Sequence, residues 1–423
     1  MTRASATTAN LSRRTLVCLA AAVAVGMPAI VSRIVRVAPE SVTTAAVFGA
    51  GVVGASLVLA WAGEAAEEDL GQGLALAILA FIAVVPEYAV DLVLALRAGG
   101  NPERYAPLAA ANTTGANRLL IGVGWALVAF IAISYMRRHR FPEAKALVLE
   151  RDRAIEICFL AVASVYSLSI PVRYVLGAKQ LNLFDSFVLV GIFALYLFRV
   201  ARGERVEHEF EGVGIASEIA ALPARKRRRL IGAMMVFAGI VILASADPFA
   251  ESLIQVGHRY GINEFLLIQW VAPLASEAPE LIIACTFALR GKGQAGIGAV
   301  ISSEVNQWTV LVGTLPIAYT ISAFAHGRSG WALPLDGQQA AEFFLTGAQS
   351  LLAIAFIANL SIERWEAVLL FALFALQFVF PQIHSRVAMA VVYLVLAAVV
   401  IVVVDHHRIG GLIRVARGAE GAS

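Results

Sequence analysis

The sequence predicts an all-α polytopic membrane protein, built as an inverted repeat of five plus five transmembrane helices with one extra helix at each end. Three observations support this prediction. Of the 423 residues, 59% are hydrophobic and 15% are charged, and the mean hydropathy is +0.78, which is outside the range of soluble globular proteins. The apolar residues form about twelve runs of membrane-spanning length. Two of these runs carry a similar pattern of carboxylates in the two halves of the chain.

A spanning helix needs about 20 predominantly apolar residues. The first run follows Ser12-Arg13-Arg14, a pattern that also occurs in twin-arginine export signals. We interpret it as an uncleaved first helix, because a chain this hydrophobic is inserted into the membrane and not exported in a folded state. The predicted spans, in order, lie near residues 16–35, 42–61, 74–96, 105–134, 155–172, 181–200, 230–254, 264–289, 297–324, 341–360, 365–380 and 387–404.

The distribution of basic residues predicts the orientation. If the amino terminus is cytoplasmic and the spans alternate, residues 136–153 and 199–229 form cytoplasmic loops, which carry six and eight Lys/Arg. With basic residues at the ends of spans counted with the adjoining loops and tails, 23 basic residues then lie inside and nine outside, and only Arg118 falls deep within a span. This distribution satisfies the positive-inside rule. We therefore expect both termini in the cytoplasm, and the compact loops favour a prokaryotic plasma membrane.

A polar stretch divides the chain into two halves of five spans each. Because five is an odd number, the halves must be inserted upside down relative to each other, as in transporters with inverted repeats. The predicted organisation is an extra helix at 1–41, a first repeat at 42–200, a charged cytoplasmic linker at 201–229, a second repeat at 230–382, and an extra helix with a cytoplasmic tail at 383–423.

The second half contains residues that a lipid-buried helix should lack. Residues 276–280 (SEAPE) place two carboxylates and a proline inside an apolar helix. Charged groups at this depth usually face a cavity and mark an ion path. Pro279 has no N–H, so it leaves the carbonyl of Ala275 without its usual donor. The next helix brings residues 302–306 (SSEVN), so oxygen ligands are expected to converge from two helices.

The first half repeats this design. Pro86 and Glu87 lie in one apolar run together with Asp91, and the next run carries residues 112–117 (NTTGAN). Glu87 precedes Asn117 by 30 residues, and Glu280 precedes Asn306 by 26. We infer an internal duplication, whose site lies at the interface of the repeats near the bilayer midplane.

Oxygen-rich sites of this kind suit hard cations such as Ca²⁺, which takes six to eight oxygen ligands. Glu87 and Glu280 are the predicted metal ligands. The full set of predicted ion-binding residues is Glu87, Asp91, Asn112, Asn117, Ser276, Glu277, Glu280, Ser303, Glu304 and Asn306. Two interpretations of Arg118 remain open: it forms an ion pair with Asp91 one helix away, or it points into the cavity and acts as a gate.

The two blocks resemble the α-repeats of the calcium/cation antiporter superfamily, in which a Pro-Glu helix precedes a helix with the pattern Gly-Asn/Asp-x-x-Gly-Ser-Asn. The resemblance covers residues 42–380 in topology, and its motifs are confined to the two blocks. It implies secondary active antiport of a cation, most directly Ca²⁺, against H⁺ or Na⁺. It implies no cofactor beyond the transported ions, and it implies that the halves expose the site to one side at a time.

Two departures from the superfamily pattern favour proton coupling over sodium coupling. The superfamily's Gly-Thr-Ser before Pro-Glu, whose hydroxyls belong to the sodium-binding shell, is replaced by residues 82–84 (IAV) and 275–277 (ASE). The second block also has Ile301 in place of Asn/Asp and Glu304 in place of Gly. Clustered carboxylates with few hydroxyls form a site that protons can occupy in competition with the cation.

The expected partners are small inorganic cations and the lipid bilayer, with no nucleic acid, and the sequence leaves the oligomeric state open. The three cysteines show no disulfide or metal-binding spacing. We expect no enzymatic activity, because an intramembrane hydrolase would not require the duplication and no HExxH or GxSxG motif is present. A sodium/proton antiporter on the same scaffold and a non-transporting membrane cation-binding protein remain as alternatives.

Overall fold

The structure is a computed structural model that describes residues 11–66, 68–69, 72–139, 141–202, 214–380, 382–404 and 412; for residues 72–84, 201–202 and 403–404 it describes the backbone alone. Part of the predicted linker and most of the predicted tail lie outside these residues. In chain order the α-helices are α1 (Arg13–Ile34), α2 (Val42–Ala66), α3 (Gln72–Gly100), α4 (Pro102–Leu119), α5 (Ala126–His139), α6 (Arg153–Ser167), α7 (Ser169–Val175), α8 (Leu183–Arg202), α9 (Ile215–Ala220), α10 (Ala224–Tyr260), α11 (Glu264–Leu289), α12 (Gly293–Asn306), α13 (Val312–Ala325), α14 (Gly337–Ile357), α15 (Arg364–Val379) and α16 (Ile383–Val399).

The predicted fold class is confirmed. Among the described residues, ten helical stretches are long and apolar enough to cross a membrane. Together with α3 and with α15, which has 16 residues, they account for the twelve predicted spans. The basic run at 225–229 forms the first turns of α10, a helix of 37 residues, and not a loop.

Local capping explains where several of these helices begin. Asn101 precedes Pro102, and its side chain accepts a hydrogen bond from the backbone N–H of Arg104. Proline suits this first helical position, because its missing N–H would be unpaired there in any case. At the start of α14, Asp336 and Gln339 form a reciprocal capping box. These signals position the third and fourth spans of the two halves.

Two short strand pairs display the inverted symmetry. The strands are β1 (Ala146–Val148), β2 (Gln180–Asn182), β3 (Ala332–Pro334) and β4 (Ser361–Glu363), and β1 pairs with β4 while β2 pairs with β3, both antiparallel. In each half, one strand precedes the fourth span and one precedes the fifth. Exchanging the halves therefore converts one pair into the other, as a two-fold axis in the membrane plane requires.

Segments that were predicted to share one side of the membrane contact each other. Asp69, in the α2–α3 connection, pairs with Arg227 at 2.6 Å, and the Ser12 hydroxyl donates to Glu218 at 2.9 Å. The hydrogen bond from Arg227 lowers the pKa of Asp69 to about 2. Because the pKa of Asp69 is lower in the folded state, the pair stabilises the fold fully when the pH is above the unfolded-state pKa of about 4. This stabilisation is lost as the pH falls through about 2.

Gly115 allows α4 and α11 to cross in backbone contact. A Cβ atom at this position would lie 1.9 Å from the backbone oxygen of Gln269 and 2.9 Å from its Cγ. Real Cβ atoms do not approach this closely, and a backbone carbonyl cannot rotate away. Only glycine therefore permits the approach that brings the amides of α4 toward the carboxylates of α11.

We predict that Gly115→Ala separates these helices, lowers the thermal unfolding temperature of the purified protein in detergent and reduces ion transport. Gly239→Ala in α10 is the matched control, because a Cβ at that position meets nothing within 4 Å. The control should gain about 0.5–1 kcal/mol from the better helix propensity of alanine. Equal unfolding temperatures for parent and Gly115→Ala would contradict the close crossing.

Candidate cation-binding site

Three glutamates from the two halves converge at the centre of the helix bundle. Glu87 extends from α3, and Glu277 and Glu280 extend from α11; one carboxylate oxygen from each residue lies within 4.8 Å of the others. Glu87 is 2% exposed, Glu277 is fully buried and Glu280 is half-buried. Buried carboxylates this close repel each other and have lost their hydration, so a bound cation or protons must compensate their charge.

Many side-chain oxygens on the helices that carry this cluster, and on their neighbours, lack hydrogen-bond donors. Neither carboxylate oxygen of Glu87 accepts a hydrogen bond from an N–H or O–H donor of the described residues, and its carboxyl group lies against that of Glu277. Because buried polar atoms in folded proteins are nearly always paired, a concentration of unpaired acceptors needs an explanation. Cation coordination supplies one. The other unpaired acceptors are one carboxylate oxygen each of Asp91, Glu277 and Glu304, and the side-chain carbonyl oxygens of Asn112, Asn117, Asn306 and Gln307.

The α4 amides are held by their nitrogen atoms, which leaves their oxygens available. Asn112 Nδ2 donates to Asp91 Oδ1 at 2.8 Å, and the Thr113 hydroxyl donates to the same oxygen at 3.0 Å. Asn117 Nδ2 donates to the backbone carbonyl of Thr113 at 2.8 Å. Asp91 is thus bonded to its neighbours on α4 and does not pair with Arg118.

Ser276, Ser303 and Glu304 each contact a different part of the structure. The Ser276 hydroxyl donates within its own helix, to the carbonyls of Ala272 and Pro273 at 3.3 and 3.2 Å. Ser303 lies beside Glu280 across the α11–α12 interface. Glu304 is fully buried and accepts a hydrogen bond from Ser350 of α14 at 3.4 Å. The group of carboxylates within 4.8 Å of one another does not include Asp91 or Glu304.

Gln307 belongs to the site although the sequence analysis missed it. Its Nε2 donates to Glu277 Oε1, and its own Oε1 has no partner. Gln307 directly follows Asn306, as Arg118 directly follows Asn117. Aligning the two repeats on their asparagines would have singled out this position.

Arg118 forms an ion pair, as one of the two interpretations predicted. Its partner is not Asp91 but a residue that the sequence analysis did not name. The buried guanidinium lies 2.5 Å from Glu342 on α14 and donates to Gln377 on α15 at 3.0 Å. Glu342 also pairs with Arg386 on α16 at 2.8 Å. The guanidinium packs over the ring of Trp270 at 4.9 Å. Arg118 thus connects α4 with the last three helices, including the extra one.

Both asparagine helices continue into a π-helical segment. Leu120–Trp125 follows α4, and Gln307–Leu311 follows α12. Such segments widen the helix and are frequent at functional sites. Gln349 of α14 donates to the backbone carbonyl of Arg118 at 3.0 Å, where the regular α-helical pattern ends. The matching positions in the two halves are a further sign of duplication.

Comparisons with known proteins agree with this fold. The sequence profile of a family described as sodium/calcium exchanger protein matches residues 40–201 and 230–382. The solved structure of an H⁺/Ca²⁺ exchanger, CAX, is 38% identical, with a TM-score of 0.87 over 96% of this chain and 98% of that chain. A search of curated proteins finds no match.

Two more distant structures share the fold. The structure of native YfkE is 16% identical, with a TM-score of 0.59 over 90% of this chain and 100% of that chain. The sodium-calcium exchanger NCX_Mj is 15% identical, with a TM-score of 0.51 over 86% of this chain and 99% of that chain. At these identities the likeness concerns the arrangement of the helices alone.

The Arg118 network predicts unequal effects of two neutralising substitutions. Glu342→Gln leaves Arg118 and Arg386 facing an uncharged amide, and we expect a loss of about 3–5 kcal/mol in the free energy of unfolding. Arg118→Gln keeps the pair between Glu342 and Arg386 and should be milder. Thermal unfolding of the purified variants in detergent measures the difference, and equal losses would refute the shared role of Glu342.

Proposed function

The chain belongs to the sodium/calcium exchanger protein family and is an integral membrane cation antiporter, and we propose that it exchanges Ca²⁺ for H⁺. The observation that carries the proposal is the group formed by Glu87, Glu277 and Glu280, whose carboxylate oxygens lie within 4.8 Å of one another. A divalent cation is small enough to contact all three carboxylates at once, and its charge offsets their repulsion.

The number and type of unpaired oxygens favour Ca²⁺. Carboxylates and amide carbonyls are the ligands that Ca²⁺ prefers, and it tolerates six to eight of them in an irregular arrangement. The three glutamates carry six carboxylate oxygens, and Gln307, which donates to Glu277, adds an unpaired amide oxygen. The description of CAX as an H⁺/Ca²⁺ exchanger, at 38% identity, supports the same choice.

Protons suit this site better than sodium as the exchanged ion. Residues 82–84 (IAV), which precede Pro86 in the first repeat, offer no side-chain oxygen that could bind sodium. When Ca²⁺ leaves, the buried carboxylates cannot stay charged and unpaired in a low-dielectric interior. Protonation makes them neutral in place, without additional ligands.

In the resulting mechanism, the glutamates bind Ca²⁺ and protons in turn. The halves rearrange between states that open the shared site to opposite sides of the membrane. Each pH unit across the membrane contributes about 1.4 kcal/mol per proton, and the membrane potential adds about 2.3 kcal/mol per net charge per 100 mV.

The exchanged ions are substrates, and we propose no resident cofactor and no enzymatic reaction. We also propose a prokaryotic plasma membrane location with cytoplasmic termini.

Uptake of Ca²⁺ into proteoliposomes tests the proposal. A pH gradient should drive uptake by the parent protein, a Na⁺ gradient of equal size should not, and Glu280→Gln should reduce uptake at least a hundredfold, because it removes one of three charges from the cluster. Glu103→Gln is the matched control, since Glu103 is exposed near the start of α4, and it should transport normally.

The alternative outcomes are distinct. Uptake driven only by Na⁺ would make Na⁺ the coupling ion. No Ca²⁺ uptake with either gradient would reject Ca²⁺ as the substrate. Proton movement driven by Na⁺ in the absence of Ca²⁺ would favour a sodium/proton antiporter on the same scaffold.

A further inference from the structure

Gln269 is a buried amide without a partner in α11, outside the predicted set of ion-binding residues. Its side chain is fully buried, and neither Oε1 nor Nε2 forms a hydrogen bond. Burial of an unpaired amide is unfavourable by about 1–3 kcal/mol in proteins. An apolar residue of the same size would avoid this penalty. We therefore expect the amide to serve a function other than stabilising the fold.

The backbone carbonyl of Gln269 also lacks its usual donor. The residue four positions later is Pro273, which has no N–H to complete the helical hydrogen bond. The side-chain amide and the backbone carbonyl therefore offer two acceptors at one level of α11. Both lie at the crossing with α4, where the backbone oxygen and the Cγ of Gln269 abut Gly115.

The position of Gln269 on α11 places it in line with the site. Gln269, Pro273, Ser276 and Glu280 follow one another at intervals of four, three and four residues, which is one face of an α-helix. At 1.5 Å per residue, Gln269 lies about 16 Å from Glu280 along the helix axis. It lies between the N-terminal end of α11 and the three glutamates.

We propose that Gln269 is a transit ligand for the transported cation, on the route between the membrane face at the N-terminal end of α11 and the glutamate cluster. This inference rests on the proposed function. The cation contacts the amide and backbone oxygens as it gives up hydration water, before it reaches the carboxylates. Because both acceptors are neutral, they hold the cation weakly enough to release it, as conduction through successive sites requires.

One basic side chain lies near Gln269, and it is held in an ion pair. Arg118, three residues after Gly115 on α4, is the basic side chain at this crossing, and its guanidinium packs over Trp270. Glu342 lies 2.5 Å from the guanidinium and also pairs with Arg386 at 2.8 Å. A cation beside Gln269 therefore meets a guanidinium that is paired with a shared carboxylate, and not an isolated positive charge.

Gln269→Met tests the transit role, because methionine keeps the length of the side chain and removes the amide. We expect the KM for Ca²⁺ to rise about tenfold at the membrane face beside the N-terminal end of α11 and to stay unchanged at the opposite face. The measurement is Ca²⁺ transport in proteoliposomes of uniform orientation, with Ca²⁺ varied separately on each face. The thermal unfolding temperature should stay equal or rise, because an unpaired buried amide is removed.

Ser164→Ala is the matched control. Ser164 in α6 is also fully buried, and its hydroxyl has no partner. This variant should leave the KM unchanged on both faces. Gln269→Leu repeats the main test with a different apolar shape, should the methionine variant fold poorly.

The outcomes separate this inference from the proposed function. If the parent protein moves no Ca²⁺ under any gradient, the proposed function fails and the transit role fails with it. If the parent transports and Gln269→Met has the parent's KM on both faces, only the transit role is refuted. Equal rises in KM on both faces together with a lower unfolding temperature would also refute it, because they indicate a general distortion.

Discussion

The high free energy of carboxylates in a low-dielectric interior is the constraint on which this structure depends. Three glutamates share a space in which their oxygens lie within 4.8 Å of one another, and the surrounding donors leave many of those oxygens unpaired. Such a cluster is stable only when cations or protons occupy it. The need for occupancy is also what couples the two ions, because the site can release one only by taking up the other.

The inverted repeat assembles this cluster from two similar halves, but the halves use equivalent positions differently. Gln307 follows Asn306 and bonds to Glu277. Arg118 follows Asn117 and turns away to Glu342. An arginine directed into the cluster would replace the transported cation, so its pairing with α14 preserves the negative charge of the site. The same pair ties the first asparagine helix to α14, α15 and α16, so the extra C-terminal helix supports the site.

The sequence predicted the fold and the central glutamates because both follow from local signals. Apolar runs of about 20 residues define the spans, and acids inside such runs stand out whatever the tertiary packing. The partner of Arg118 was not predictable in this way, because Glu342 lies 224 residues away and no periodicity selects it over Asp91. Gln307 and the position of Glu304 toward Ser350 were missed for the same reason. They depend on which helices pack together and on the rotation of α12 about its axis.

The two halves also differ in the backbone acceptors that they offer. Pro273 and Pro279 deprive two carbonyls of α11 of their donors, whereas α3 contains only Pro86. A symmetric exchanger would present the same ligands toward both faces of the membrane, and this chain does not. Such asymmetry cannot change the equilibrium of exchange, which the ion gradients and the stoichiometry fix. It can change the concentration at which each face becomes saturated, so divergence between the repeats allows the two faces to differ in apparent affinity without a change in the central site.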